Sequence, residues 1–185
     1  MFPLYVALIT GLLTIALVFF VFAQAAVLRS GGQSAADAAA LAATTEARDR
    51  LYERFLDAIE DEGEDEEALD DILSGEDFET GSACGAAASL AARNDAAVDS
   101  CDVHQTGYLV DVTTTDTLGD TVIPGTGGSR AAATGRAVIE GLCRTTTKEA
   151  DRIELECEER RWEFDPGNED ERPEARDLFR VYLED

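Results

Sequence analysis

The chain has 185 residues and carries 39 acidic against 15 basic side chains, a formal net charge of -24. A surface this acidic repels phosphate backbones, which excludes nucleic acid and makes anionic membrane surfaces poor partners for the exposed part. Four cysteines and a single histidine leave little material for metal or nucleophilic chemistry.

From Met1 to Leu28 no side chain is charged, and apolar residues occupy every side of the helix they would form. About 20 apolar residues cross the hydrocarbon core of a bilayer, and only a helix or a closed barrel satisfies its backbone there. Residues 1–28 are therefore predicted to be a transmembrane helix in contact with lipid. A secretory signal peptide is the rival reading, but it would have a basic start and an apolar core of roughly 7 to 15 residues. This run lacks the first and exceeds the second. The missing positive charge suggests a basic leader ahead of Met1, removed by processing or left out by a late start.

Past Arg29, nearly every residue from Ala35 to Ala43 favours helix, so the helix is predicted to continue over residues 29–61. Gly31 and Gly32 interrupt it with two residues that each cost a helix about 1 kcal/mol relative to Ala. They mark either a hinge or a close approach to a neighbouring backbone. Ala35 to Ala47 offers an almost all-Ala face. Leu51, Tyr52, Phe55, Leu56 and Ile59 then recur at helical spacing opposite charged residues, as a core stripe does.

Glu60 to Asp71 holds nine acids, a solvated loop or frayed helix by composition. Calcium is the functional alternative, yet Asp61, Gly63, Asp65 and Glu67 depart from the D-x-[DN]-x-[DN]-G order and lack a closing bidentate Glu. A short helix is predicted from Glu66 to Leu73, stopped by Ser74-Gly75. Another runs from Ala83 to about Asn94 behind a Ser82 N-cap, with Cys84, Ala87, Ala88 and Ala91 on one face.

The remainder alternates with period two. A strand is predicted near Cys101, and in Gly107–Thr115 the residues Tyr108, Val110, Val112 and Thr114 share one face. Residues 116–129 read as a loop whose Pro124-Gly125-Thr126-Gly127-Gly128 glycines serve turns, since no Lys-Ser/Thr follows them and no G-x-G-x-x-G opens a helix. The next strand, Arg130 to Leu142, turns Ala131, Ala133, Gly135, Ala137, Ile139 and Gly141 to one face. That small face can accept the Ala-lined helix at short range, so residues 36–47 are expected to dock across it. Ile153, Leu155 and Cys157 begin a strand expected to continue to Trp162 and Phe164. After a turn at Asp165–Asn168, a last strand, Leu178 to Leu183, is expected to bury Phe179, Val181 and Leu183.

Cys84, Cys101, Cys143 and Cys157 all lie outside the apolar run, and an even number outside a cell usually means disulfides. Three connectivities are possible. Nearest neighbours, Cys84 with Cys101 and Cys143 with Cys157, close short loops around plausible turns. Zinc is disfavoured because no two cysteines have C-x2-4-C spacing and His104 is alone. Catalysis would have to recruit that same His104, and no cofactor or metal site is expected. The predicted fold is α+β: a long N-terminal helix, transmembrane and then amphipathic, packed on a small antiparallel sheet of mainly four strands, with residues 62–185 an acidic head sharing a core with the helix continuation.

The Phe2-Pro3-Leu4-Tyr5 start, the helix ending at Gln24-Ala25-Ala26, Arg29, and the run Gln33-Ser34-Ala35-Ala36-Asp37-Ala38-Ala39-Ala40-Leu41-Ala42-Ala43 together resemble the TadE/TadG-like minor pilins (pseudopilins) of tight-adherence pilus systems, closest to actinobacterial members. Val122-Ile123-Pro124-Gly125-Thr126 and Ala137-Val138-Ile139 are also similar. The resemblance implies a single-pass membrane protein of a pilus or secretion apparatus, processed by a prepilin peptidase, whose partners are other pilins or pilus-assembly membrane proteins, including copies of itself. The assembly surface it implies is the apolar helix, with Phe2, Leu4, Tyr5, Leu8, Leu12, Ile15, Phe19 and Phe22 outward and Gly11, Ala16, Gly31 and Gly32 permitting close approach. Many type IV pilins carry Glu at the fifth mature residue; here it is Tyr5, which points to a minor, initiating or tip-associated subunit. A membrane-anchored extracellular binding or envelope domain outside any filament is the alternative.

Overall fold

The computed structural model describes residues 2–61, 65–75, 81–117, 128 and 130–184. Helix α1 (Phe2–Glu60) is one unbroken element of 59 residues, about 88 Å long at 1.5 Å per residue. Its first half touches almost nothing. Its second half is the spine of the head, with Ala35, Ala36, Ala39, Ala40, Ala43, Ala47, Leu51 and Phe55 all fully buried.

Against it lies a four-stranded antiparallel sheet in the order β1 (Ala96–His104), β2 (Gly107–Thr114), β3 (Ala132–Gly141) and β7 (Phe179–Leu183). The small faces meet as expected. A Cβ on Gly135 would stand 2.3 Å from the carbonyl oxygen of Ala36, so only glycine lets the helix backbone come this near to β3. Further along, Thr44, fully buried, donates its hydroxyl to the Ala137 carbonyl at 3.2 Å, which supplies that buried polar side chain with a partner. Tyr108, Val110 and Val112 point from β2 into the same core.

Helix α2 (Glu66–Leu73) is capped by Asp65, whose carboxylate accepts from the Ala68 N–H at 3.0 Å, and helix α3 (Ala83–Arg93) packs on α1 beside β1. On α3 the buried residues are Ala83, Ala87 and Ala91, every fourth position, and the expected Ala88 is exposed. The Ser82 side chain does not cap this helix: it accepts from Arg50 Nη2 at 2.9 Å and donates to Glu46, tying α3 to α1.

The C-terminal part departs most from the sequence reading. A second antiparallel sheet of three strands, β4 (Cys143–Glu149), β5 (Arg152–Cys157) and β6 (Arg161–Phe164), stands apart from the first. The strand expected to run from Ile153 to Phe164 is a hairpin, closed where the Cys157 N–H donates to the Arg160 carbonyl at 3.1 Å. Folding back pairs Ile153 with Phe164 and Leu155 with Trp162, which gathers four apolar side chains on one face where an extended strand would have spread them out. Strand β4 was not foreseen, because Arg144-Thr145-Thr146-Thr147-Lys148 buries only Thr145. Between β6 and β7 come a 3-10 turn (Glu169–Glu171) and a single helical turn, α4 (Ala175–Leu178), so the last strand begins at Phe179 and not at Leu178. Leu183, expected inside, is 41% exposed because β7 ends at the sheet edge.

Two carboxylates from the acidic run have a structural role. Asp70 Oδ1 accepts from the Thr145 N–H at 2.5 Å, and Glu66 Oε1 accepts from the Lys148 N–H at 3.2 Å. They satisfy donors on the outer edge of β4, the kind of open edge that otherwise recruits foreign strands. Gly63 of the calcium reading, and residues 118–127 with the turn glycines Gly125 and Gly127 and the Val122–Thr126 stretch, lie outside the described residues.

Candidate functional site: the apolar helix and its neck

Chemistry in the head is constrained by its pairings. Cys84 is bonded to Cys101, joining α3 to β1, and Cys143 to Cys157, directly opposite one another across β4 and β5. The nearest-neighbour connectivity is the one present, and Cys101 has no thiol to offer His104 at the end of the same strand. Among the described residues no three His, Cys, Asp or Glu side chains converge in a way that could hold a metal ion. An open cleft at the far end of α1 is lined by Glu60, Asp61, Lys148 and Arg172 among others, but its cations are engaged: Arg172 with Glu60 at 2.8 Å, and Lys148 Nζ with the Asp61 carbonyl at 2.7 Å.

Perturbed titrations follow local structure. Hydrogen bonds from Thr134 and Ser100 hold Asp111 below the usual carboxylate range. Its partner Arg144 lowers Glu156 on the exposed face of the second sheet. Burial raises the Tyr52 and Tyr108 phenols; the Tyr52 hydroxyl donates to the Pro173 carbonyl at 2.8 Å. These groups fasten elements of the fold to one another and do not gather in one cleft.

The unusual feature is the bare half of α1. It is long and apolar enough to cross a membrane, and its most apolar window has no buried residue. Leu4, Phe19 and Phe22 are each more than 70% exposed, and Tyr5, Leu8, Leu12 and Ile15 are likewise outward. Phe2 begins the helix, and its side chain lies outside the described part of the structure. Tyr5, Leu8, Leu12, Ile15, Phe19 and Phe22 follow a 3-4 spacing, so they share one stripe along the helix, the pattern that lets two helices interdigitate. The only hydroxyls beyond Tyr5 in this stretch, Thr10 and Thr14, donate back to the Val6 and Thr10 carbonyls at 2.8 Å, which leaves this surface compatible with lipid.

Where the bare half meets the head there is a neck. Among the described residues nothing comes within 4 Å of a Cβ on Gly31, whereas one on Gly32 would meet Ala131 Cβ at 3.3 Å and Thr114 Cγ2 at 3.4 Å. Close approach is thus realised at Gly32, and the helix runs through both glycines without a break. Gln33 Nε2 donates to the Thr134 carbonyl at 3.1 Å, pinning the helix to the edge of β3. Below this junction an open groove of about 440 Å3 separates Phe20, Ala23, Gln24, Val27 and Leu28 from Asp116 and Thr117 at the end of β2. Sequence reasoning found the helix and its two glycines but missed this groove, which depends on how far the end of β2 descends beside α1.

Comparison of the chain with protein-family models, with curated proteins and with solved structures gave no match in any of the three.

Proposed function

We propose that the chain is a pilin-like structural subunit of a tight-adherence type pilus, held in the membrane and assembled through the apolar half of α1. The observation that supports this most is a single helix bare and apolar over its first half and buried in an antiparallel sheet over its second. Such an element carries a folded head on a shaft that can exchange lipid for neighbouring helices with little change in polarity. The similarity of residues 24–43 to TadE/TadG-like minor pilins supports the same reading. Tyr5, in place of the Glu of many filament-forming pilins, favours a minor, initiating or tip position, with other pilins, assembly membrane proteins or further copies as partners and a prepilin peptidase acting on any leader.

The test is site-specific crosslinking from Leu8, Leu12, Ile15 and Phe19 in cells. Adducts with pilus components along this one stripe are expected. If every position crosslinks only to lipid, the helix is a plain single-pass anchor for an extracellular domain, and the filament reading is refuted.

A further inference from the structure

The net charge of the head conceals an uneven distribution of its cations. Most arginines are matched by a carboxylate within 4 Å, among them Arg144, Arg152, Arg160, Arg161, Arg172, Arg176 and Arg180 in the distal half. Arg29, Arg93 and Arg130 are exposed and, among the described residues, have no such partner. All three lie at the end of the head from which the apolar helix emerges. Arg29 is one helical turn before Gly32, and Arg130 precedes Ala131, which touches the Gly32 position. Arg93 ends α3 at the same level, since Ala96 pairs with Thr114 and Asp95 accepts from the Thr115 N–H at 2.7 Å.

A second observation concerns depth. Asp116 and Thr117 stand across the neck groove from Phe20 to Leu28, and an aspartate beside that segment does not belong in hydrocarbon. The helix does not need those residues to cross. Phe2 to Phe20 already supplies about 28 Å at 1.5 Å per residue, close to the roughly 30 Å hydrocarbon core.

We infer that the neck is a phospholipid-headgroup collar: the hydrocarbon ends near Phe20, Ala23 to Gly32 lie at headgroup level with Asp116 and Thr117, and Arg29, Arg93 and Arg130 bind lipid phosphates. This rests on the membrane reading above. Asp95 and Asp116 share this level with the three arginines, whereas the distal carboxylates contribute little there, because the Debye length at physiological salt is about 8 Å. Arginine suits the role, since its fork pairs two N–H donors with phosphate oxygens and its stem can snorkel down the helix.

The experiment uses the full chain in vesicles of mixed phosphatidylcholine and phosphatidylserine, its native cysteines held in their disulfides, with one added thiol at Leu12→Cys or Ala26→Cys. A membrane-impermeant maleimide should leave Leu12→Cys unlabelled and label Ala26→Cys. With R29Q, R93Q and R130Q combined, labelling of Ala26→Cys should accelerate at least about fivefold, the worth of one surface arginine, and the corresponding Lys variant should stay near the parent rate. An Ala26→Cys as inert as Leu12→Cys would place hydrocarbon over the collar and overturn the inference while leaving the anchor intact. An unchanged rate in the Gln variant, with near-UV circular dichroism showing a folded head, would overturn the role of the arginines. Equal labelling at both positions would instead mean that the helix is not in the membrane at all.

Discussion

Replacing Gly135 by Ala tests the central contact of the fold. The added Cβ would lie 2.3 Å from Ala36 O, 2.4 Å from Ala36 C and 2.8 Å from Asp37 N. All three are backbone atoms of a helix and cannot rotate aside, so α1 must move off β3 by about 1 Å to restore ordinary contact. A gap of that size forfeits roughly a quarter to a half of each dispersion contact it opens, and Ala35, Ala36, Ala39, Ala40 and Ala43 are all buried along this stretch. Overpacking typically costs about 1–3 kcal/mol; with no flexible atom to yield, this site belongs at the upper end. For a head of this size that is a fall of about 6–12 °C in Tm, read by near-UV circular dichroism on the oxidised full-length protein in detergent micelles. Gly31→Ala is the control: among the described residues nothing lies within 4 Å of its Cβ, so better helix propensity should leave stability unchanged or raise it by up to about 1 kcal/mol. A G135A melt within about 2 °C of the parent would show that the helix does not press on β3 there. Equal losses in both variants would show that the loss of glycine itself, in β3 as in α1, and not the space around it, sets the cost.

Removing either disulfide, as C84S/C101S or C143S/C157S, frees loops with sequence separations of 17 and 14 and should cost about 3 kcal/mol each, measured as a lower denaturation midpoint. Asp70→Ala strips the acceptor from the Thr145 N–H and should cost about 1–3 kcal/mol; no change would mean that water replaces the carboxylate at no cost. Phe55→Ala empties a fully buried site and should cost about 3–5 kcal/mol. Because the folded pKa of Asp111 is depressed, its stabilisation is present above the unfolded value near 3.9 and lost as pH falls through the folded one. The stability gap between parent and D111N should therefore narrow on acidification below about pH 4, and a gap that stays constant would refute the assignment.

The sequence was most legible where one period dominated. The helix through Ala35–Ala47, the small face of Arg130–Leu142 and their docking all followed from side-chain size, and that pairing sets the core. Legibility failed where polar chains make the structure. Strand β4 offers one buried residue, and its edge is satisfied by Asp70 and Glu66 from a stretch that composition marks as solvated. Likewise Glu158-Glu159-Arg160 carries no glycine or proline to announce a hairpin, so Ile153–Phe164 looked continuous. The apolar stripe was visible as sequence, whereas the neck required knowing that Asp116 and Thr117, just past β2, stand beside Phe20–Leu28.

A magnitude decides what the bare half of α1 can be. Leaving Tyr5 aside, thirteen large apolar residues from Leu4 to Val27 stand 46% or more exposed. Fully burying each would be worth about 1.5–3 kcal/mol; even at half that value, holding them in water forgoes on the order of 10–20 kcal/mol. That is comparable with the roughly 5–15 kcal/mol by which a whole domain is stable, and among the described residues the head makes almost no contact with these side chains. Such a surface is stabilised by a second apolar medium. Lipid and a bundle of like helices both qualify, and a chain passing from one to the other gains or loses little by solvation. Under the proposed function, the shape of the 3-4 stripe, against which a neighbour either fits or does not, sets the difference between an anchor and an assembled subunit.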